Sequence, residues 1–107
     1  MKKVLSPLLL LGLCFNAYAG DIANGATVLK VANISSNVDT FAVTVDSSLV
    51  DCARNIIFFP ASAAPNKESH ARAYSTALTA LSTGMKVRLY NYDSNSCTDA
   101  SFIEISK

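Results

Sequence analysis

Residues 66–92 read NKESHARAYSTALTALSTGMKVRLYNY, and this stretch decides the fold because it places one helix directly before an alternating strand. Asn66 is a favourable N-cap residue, and Gly84 suits the left-handed residue that ends many helices. These signals predict a helix over 66–83. Its apolar residues recur at helical spacing and predict one core-facing stripe, formed by Ala71, Tyr74, Leu78 and Leu81.

Residues 85–92 alternate between apolar and polar side chains, which is the pattern of a half-buried strand. Met85, Val87 and Leu89 are predicted to face the core. The opposite face carries a basic and aromatic stripe, formed by Lys86, Arg88, Tyr90 and Tyr92. Four further strands are predicted over 26–34, 40–45, 55–59 and 101–105, and a polar turn of Ser35, Ser36 and Asn37 joins the first two as a hairpin.

The predicted order of elements is strand, strand, strand, helix, strand, strand. This β-β-β-α-β-β order predicts an α+β, mostly β domain, built as a five-stranded OB-like barrel with one helix that plugs its end. Such barrels bind sugars or nucleic acids on their strand faces and rim loops. The order also suits other α+β folds, including cystatin-like ones, and that alternative stays open.

The first nineteen residues have the composition of a bacterial secretory signal peptide. A short basic start precedes an apolar run, and Ala17-Tyr18-Ala19 matches the small-x-small site that signal peptidase cuts. We therefore expect residues 1–19 to be a signal peptide and residues 20–107 to form a single small domain. Lipid attachment at Cys14 is the less favoured alternative, because the residue before it, Leu13, is large.

Removal of that peptide takes away two lysines and lowers the formal net charge from +1 to −1. A nearly neutral chain has no general attraction for nucleic acid or for anionic lipid. Beyond the first nineteen residues no apolar run approaches the length of a membrane span. We expect neither a nucleic-acid partner nor a membrane-spanning segment.

Cys52 and Cys97 remain once the peptide is removed, and two cysteines in a small exported protein predict one disulfide. The bond would close a loop of 46 residues, counted inclusively. So wide a spacing fits neither a Cys-x-x-Cys redox site nor a zinc knuckle. The disulfide and the signal peptide together predict an exported protein, either periplasmic or secreted.

The segments ARAYS (71–75) and STGMKVRL (82–89) resemble the helix-to-strand region of the B subunits of subtilase-cytotoxin-type, pertussis-like bacterial toxins. In both, a helix that carries a tyrosine ends in Ser-Thr-Gly and enters a strand with Val-Arg. This resemblance covers about twenty residues. It implies an exported OB-fold subunit that forms pentamer rings, binds host glycans and serves a catalytic A subunit. The segments FPASA (59–63) and NYDSNSC (91–97) also resemble small uncharacterised exported proteins of gammaproteobacteria.

Two sets of polar residues invite a catalytic or metal-binding interpretation. His70 is the only histidine, so a Ser-His-Asp triad would require it, but no nucleophile elbow accompanies it and a flanking helix residue is favoured. Asp93, Asn95 and Asp99 have a spacing like that of a calcium loop, yet the glycine turn and further ligands are missing. A polar hairpin turn is favoured there. We expect no catalytic residue, no metal and no cofactor.

The candidate ligand-binding residues are Ser35, Ser36 and Asn37 in the first turn, with Arg88, Tyr90 and Tyr92 on the fourth strand. Hydroxyl and amide groups suit the hydroxyls of a sugar, and an aromatic ring suits the apolar face of a pyranose. Tyr90 ranks first because its side chain points away from the core side of the strand. A solvated strand face of good β-formers is the competing interpretation.

We therefore expect an exported, non-catalytic binding module with a glycan as its partner. The alternative is an exported protein-binding or inhibitory domain that has no sugar site. The helix carries no charge between Arg72 and Thr83, and its outer face is expected to mediate self-association, as in a ring; an ordinary exposed Ser/Thr face is the open alternative. That face is formed by Ser75, Thr76, Thr79 and Ser82.

Overall fold

The computed structural model describes residues 20–34 and 39–107. Its elements, in chain order, are β1 (Gly20–Ile34), β2 (Thr40–Val45), β3 (Ile56–Pro60), α1 (Lys67–Thr83), β4 (Lys86–Asn91) and β5 (Phe102–Ser106). The predicted order of five strands and one helix is confirmed, and so is the hairpin of β1 and β2. The predicted signal peptide (1–19) and the turn residues Ser35, Ser36 and Asn37 lie outside the described residues, so those assignments stay predictions.

The long first strand organises the sheet. β1 has 15 residues; its N-terminal half pairs with β4 and its C-terminal half pairs with β2. The register is irregular at three places, between Asp21 and Ala23, between Asn24 and Ala26, and between Val28 and Lys30, and such bulges let a strand bend. Gly25 lies in the second of these, with a φ of 77°. The sequence predicted only 26–34 as strand, because Asn and Gly are poor strand formers and the pairing with β4 is not visible locally.

The strands form one antiparallel sheet of order β3-β2-β1-β4-β5. The mostly β architecture is therefore confirmed, but a closed barrel is not supported, because β3 and β5 are edge strands that do not pair. Phe58 instead bonds the loop before β5: its N–H donates to the Cys97 carbonyl at 2.7 Å, and its carbonyl accepts from the Ala100 N–H at 3.0 Å. The segment that contacts β3 is thus the loop before β5 and not β5 itself, so the sheet stays open.

The predicted disulfide is present between Cys52 and Cys97, with the two Cα atoms 5.7 Å apart. It links the loop after β2 to the loop between β4 and β5. Cys97 therefore anchors its loop beside β3 in two ways. Its sulfur is bonded to Cys52, which lies before β3, and its carbonyl accepts from the Phe58 N–H in β3. This covalent link takes the place that strand pairing would occupy in a closed barrel.

The caps of α1 are those that the sequence predicts. The Asn66 side-chain oxygen accepts from the Ser69 N–H at 2.8 Å, and this satisfies one of the free donors of the first turn. Gly84 ends the helix at a φ of 73°, and its N–H donates to the Ala80 carbonyl. A residue without a Cβ takes that left-handed conformation without strain.

The buried face of α1 differs from the predicted stripe. The helix residues that are buried against the sheet are Ala73, Ala77 and Ala80. Leu78 and Leu81 are 39% and 40% exposed, and Ala71 is exposed. Of the predicted stripe only Tyr74 packs against the core, where its ring contacts Phe41. The prediction was wrong for the other three residues, because alanine permits closer approach of a helix to a sheet than leucine does. The two leucines are turned to the flank of the helix.

The core lies between α1 and one face of the sheet. Its largest fully buried side chains include Phe41, Phe59, Ile22, Ile57 and Leu89. Phe41 and Phe59 are cross-strand partners in β2 and β3, and their rings stack at 4.7 Å between centroids. This pair anchors the edge of the core near the first turns of α1.

Candidate functional site

The face of β1, β4 and β5 that points away from the core carries the predicted basic and aromatic residues. In β4, Val87, Leu89 and Asn91 are buried, so Arg88 and Tyr90 point to the opposite side. Strand pairing places Asp21 and Phe102 on either side of Tyr90. The aromatic face, as we call it, consists of Asp21, Asn24, Arg88, Tyr90, Tyr92 and Phe102.

Three rings on this face contact one another edge to face. The centroid of Tyr90 lies 5.1 Å from that of Tyr92 and 5.9 Å from that of Phe102. Tyr92 and Phe102 are 6.2 Å apart. These distances are in the favourable range for aromatic pairs, so the rings hold each other in place. Tyr92 is 62% exposed and presents the most accessible ring of the three.

A charged pair borders the rings. The Arg88 Nε donates to the Asp21 carboxylate at 2.7 Å, and Asn24 donates to the other carboxylate oxygen at 3.1 Å. The hydrogen bond with Asp21 raises the pKa of Arg88 above its ordinary value. The guanidinium also lies 5.0 Å from the centre of the Tyr90 ring and 5.5 Å from that of Phe102. These contacts fix a cation beside an aromatic platform.

This arrangement can bind a neutral, hydroxylated ring. An exposed tyrosine offers an apolar surface, and carboxylate, amide and guanidinium groups beside it supply hydrogen-bond acceptors and donors. Arg88 and Asp21 offset each other's charge, and Glu104, the cross-strand partner of Arg88 in β5, adds a further carboxylate beside the pair. Both side chains stay partly exposed, so the pair contributes little to stability and serves mainly to orient polar atoms.

The structure brings together only part of the predicted site. Arg88, Tyr90 and Tyr92 lie together on one surface at the C-terminal end of β4. The residues that flank the predicted turn, Ile34 and Asp39, lie at the opposite end of β1 from Asp21, which pairs with Tyr90. Ser35, Ser36 and Asn37 lie outside the described residues, so their part in the site stays a prediction.

Three residues of the aromatic face were missed by the sequence interpretation. Asp21 and Asn24 precede the predicted start of β1, in a segment whose composition does not favour a strand. Phe102 is visible as an aromatic residue in the predicted last strand, but its neighbour across the sheet depends on register. Extending strand 26–34 back to Gly20 by simple alternation would not have given this face, because two register irregularities, at Asp21/Ala23 and Asn24/Ala26, break the period.

The loop between β4 and β5 is a hydrogen-bonded turn, as predicted. The Asn91 side chain is buried and donates to the Asp99 carboxylate at 2.7 Å and to the Ser96 carbonyl at 3.2 Å. Its oxygen accepts from the N–H groups of Asp93 and Ser94. Over the described ranges, no group of three or more His, Cys, Asp or Glu is arranged to hold a metal ion.

His70 is packed rather than solvated. Its Nε2 lies 2.8 Å from the Phe59 carbonyl, and its ring is 5.2 Å from the ring of Phe41. The histidine therefore joins the start of α1 to β3. It also lines a cleft beside the helix, at the end of the molecule opposite to the aromatic face.

No helix in the part of the chain that the structure describes is long and apolar enough to cross a membrane. Residues 3–107 match a family described as a family of unknown function, DUF5992. No curated protein and no solved structure matches the chain.

Proposed function

The chain belongs to the DUF5992 family, and we propose that it is an exported, non-catalytic binding module that holds a glycan on the aromatic face. The observation that carries this proposal is the exposed Tyr92 ring, which is fixed by Tyr90 and Phe102 next to the Arg88–Asp21 pair. Export is supported by the disulfide, since such bonds persist in oxidising compartments.

Sugar recognition is favoured over a plain solvated strand face because the rings are ordered by mutual contacts. On a plain solvated face an exposed ring needs no fixed orientation. A platform that stacks on a sugar needs a ring whose orientation is already set. Tyr92 meets that need, and Asn24, Asp21 and Arg88 supply polar atoms at its edge. The same reasoning favours a surface site, since the face is open and shallow.

The relation to OB-fold toxin subunits is a proposal supported by two features. One is the element order, in which β1 pairs with both β2 and β4. The other is the pair of hydrogen bonds from Phe58 to the loop before β5, which is where a closed barrel would join its edges. A catalytic A subunit as partner follows from the toxin resemblance alone.

A glycan array probed with the oxidised protein tests the proposal. We expect specific glycans to bind, and we expect Tyr92→Ala to weaken that binding by at least about tenfold. The melting temperature should change by only a few degrees, because a surface change usually costs less than about 0.5 kcal/mol. Tyr90→Ala should weaken binding too, but with a larger loss of stability, since Tyr90 contacts three neighbouring side chains.

Leu29→Ala is the matched control, because Leu29 is 54% exposed and lies farther along β1, in the half that pairs with β2. It should leave glycan binding unchanged. An array without signal above background would contradict the glycan proposal and favour the protein-binding alternative. Equal binding by wild type and Tyr92→Ala would remove the aromatic face as the site.

We further propose that a second copy of the chain packs on the outer face of α1. The hydroxyls of Thr76, Thr79 and Ser82 donate to carbonyls four residues earlier in the helix. Their O–H donors are therefore satisfied within the helix. Together with the exposed Leu78 they leave an uncharged surface whose desolvation costs little free energy.

Light scattering at high micromolar concentration should then give a mass above that of one chain. Thr79→Lys should return the protein to a monomer, because it would bury an unpaired charge at the contact. Thr98→Lys, at an exposed position in the β4–β5 loop, is the control and should not change the mass. A wild-type monomer at that concentration would exclude the self-association.

A further inference from the structure

A second surface, distant from the aromatic face, has the features of a ligand site. A cleft of about 300 Å³ lies between the first turns of α1 and the ends of β1 and β2. Its walls include Asn33 and Asp39 on the sheet side, and Lys67, Ala71 and Tyr74 on the helix side. That volume is at the lower end of the range for small-molecule sites.

The two walls of this cleft differ in charge. Lys67 is the first residue of α1, so its ammonium adds to the positive potential of the helix N-terminus. Asp39 lines the sheet side of the cleft just before β2, in a left-handed conformation with a φ of 41°. Within residues 20–34 and 39–107 the one salt bridge joins Arg88 to Asp21, so Lys67 and Asp39 form no direct ion pair with each other.

The floor of the cleft is aromatic and rigid. Phe41 stacks on Phe59 beneath it, and the Tyr74 ring stands edge-on to Phe41 at 5.2 Å. His70 is held against the same ring by its contact with the Phe59 carbonyl. Among the described residues the Tyr74 hydroxyl makes no hydrogen bond. Ala71 leaves space above this floor because its side chain ends at Cβ.

We propose that this cleft binds a small zwitterion of the α-amino-acid type with an apolar side chain. The carboxylate of the ligand lies against Lys67 and the N-terminus of α1, where the first-turn field favours an anion. The ammonium lies against Asp39, with the Asn33 amide oxygen as a second acceptor. The apolar side chain packs over Tyr74. Only a molecule that carries both charges satisfies both walls, which gives the site its selectivity.

The first test is a titration of the oxidised protein with L-leucine, followed through its backbone amide NMR signals. We expect signals of Asn33, Asp39, Lys67 and Tyr74 to shift in the millimolar range. Two analogues separate the charges: 4-methylpentanoate lacks the ammonium and 3-methylbutylamine lacks the carboxylate. Each should bind at least about tenfold more weakly than leucine, because each leaves one wall unpaired.

Substitutions locate the site. Ala71→Leu keeps a good helix former at an exposed position and fills the cleft, so it should abolish the shifts. Ser75→Leu, one turn later on the helix and outside the cleft, is the matched control and should bind leucine as wild type does. Asp39→Asn tolerates the left-handed backbone and removes the charge, and Lys67→Gln removes the other. Each should weaken binding by about tenfold.

Several results would overturn the proposal. They are an absence of shifts with leucine, equal binding of leucine and 4-methylpentanoate, or unchanged binding in Ala71→Leu. Saturation of the same signals by methyl glucoside, in place of leucine, would show that the cleft selects an uncharged sugar. Tyr92→Ala should leave leucine binding intact, so this proposal and the glycan proposal can fail separately.

Discussion

Asn91 shows how one buried side chain can shape the surface beside it. Its amide is 1% exposed, and both of its polar atoms are bonded to the loop that follows β4. A buried amide must find such partners, because an unsatisfied polar group inside a protein is costly. The loop in turn begins at Tyr92. The orientation of the most exposed ring on the aromatic face therefore depends on a residue that faces the core.

We predict that Asn91→Ala lowers the free energy of unfolding by about 2–4 kcal/mol, because it strands the Asp99 carboxylate and several loop N–H groups. The same change should weaken glycan binding through Tyr92. Urea denaturation and the glycan array measure the two effects. Ser94→Ala removes one 3.4 Å contact to Asn91 and one hydrogen bond from the Ser96 N–H, and it is the control, with an expected loss below about 1.5 kcal/mol. Similar losses in both variants would contradict this role of Asn91.

At the scale of elements, α1 shows that an apolar stripe in the sequence need not be the buried one. The helix contains two candidate faces, one of alanines and one of larger residues that includes Leu78 and Leu81. The alanine face lies on the sheet. The larger face continues the helix side of the cleft, since Lys67, Ala71, Tyr74 and Leu78 follow each other at spacings of four, three and four.

We predict that Ala77→Leu destabilises the protein by about 1–3 kcal/mol, because Ala77 is fully buried and a larger side chain would push α1 off the sheet. Leu81→Ala should cost only about 1 kcal/mol, since much of that side chain is already exposed. Thermal unfolding of both variants gives the comparison. A larger loss for Leu81→Ala, in the range of about 2–5 kcal/mol for a core leucine, would restore the stripe that the sequence predicted.

At the scale of the whole molecule, the sheet is open and one disulfide links two of its loops. Strand β3 is connected to the rest of the sheet through β2, through the two Phe58 hydrogen bonds, and through the disulfide next to it. A small domain buries a limited core, so a covalent link contributes a large share of its net stability.

We predict that replacing both Cys52 and Cys97 by Ala lowers the free energy of unfolding by about 4 kcal/mol, the chain-entropy value for a loop of this length. Reduction with dithiothreitol should have an effect of similar size in the wild type and none in the double variant. Mass spectrometry of the unreduced wild type should find no free thiol at either cysteine. Two free thiols, or equal stability of the two proteins, would refute the assignment.

The sequence by itself determined the local elements and the disulfide. Capping by Asn66 and Gly84, the alternation in β4, and the content of β-branched residues act over a few residues, so a linear reading finds them. The bounds of β2 were predicted to the residue. The pairing of Cys52 with Cys97 followed because removal of the predicted signal peptide would leave only two cysteines.

Only the tertiary structure decided which residues and strands lie next to each other in space. The first half of β1 is a strand because β4 pairs with it, and this pairing brings Asp21 and Asn24 to Arg88. Three other features depend on contacts between distant segments. They are the unpaired edge strands β3 and β5, the buried alanine face of α1, and the cleft around Asp39 and Lys67. Register and packing distance are properties of the assembled sheet and helix, and no window of the sequence contains them.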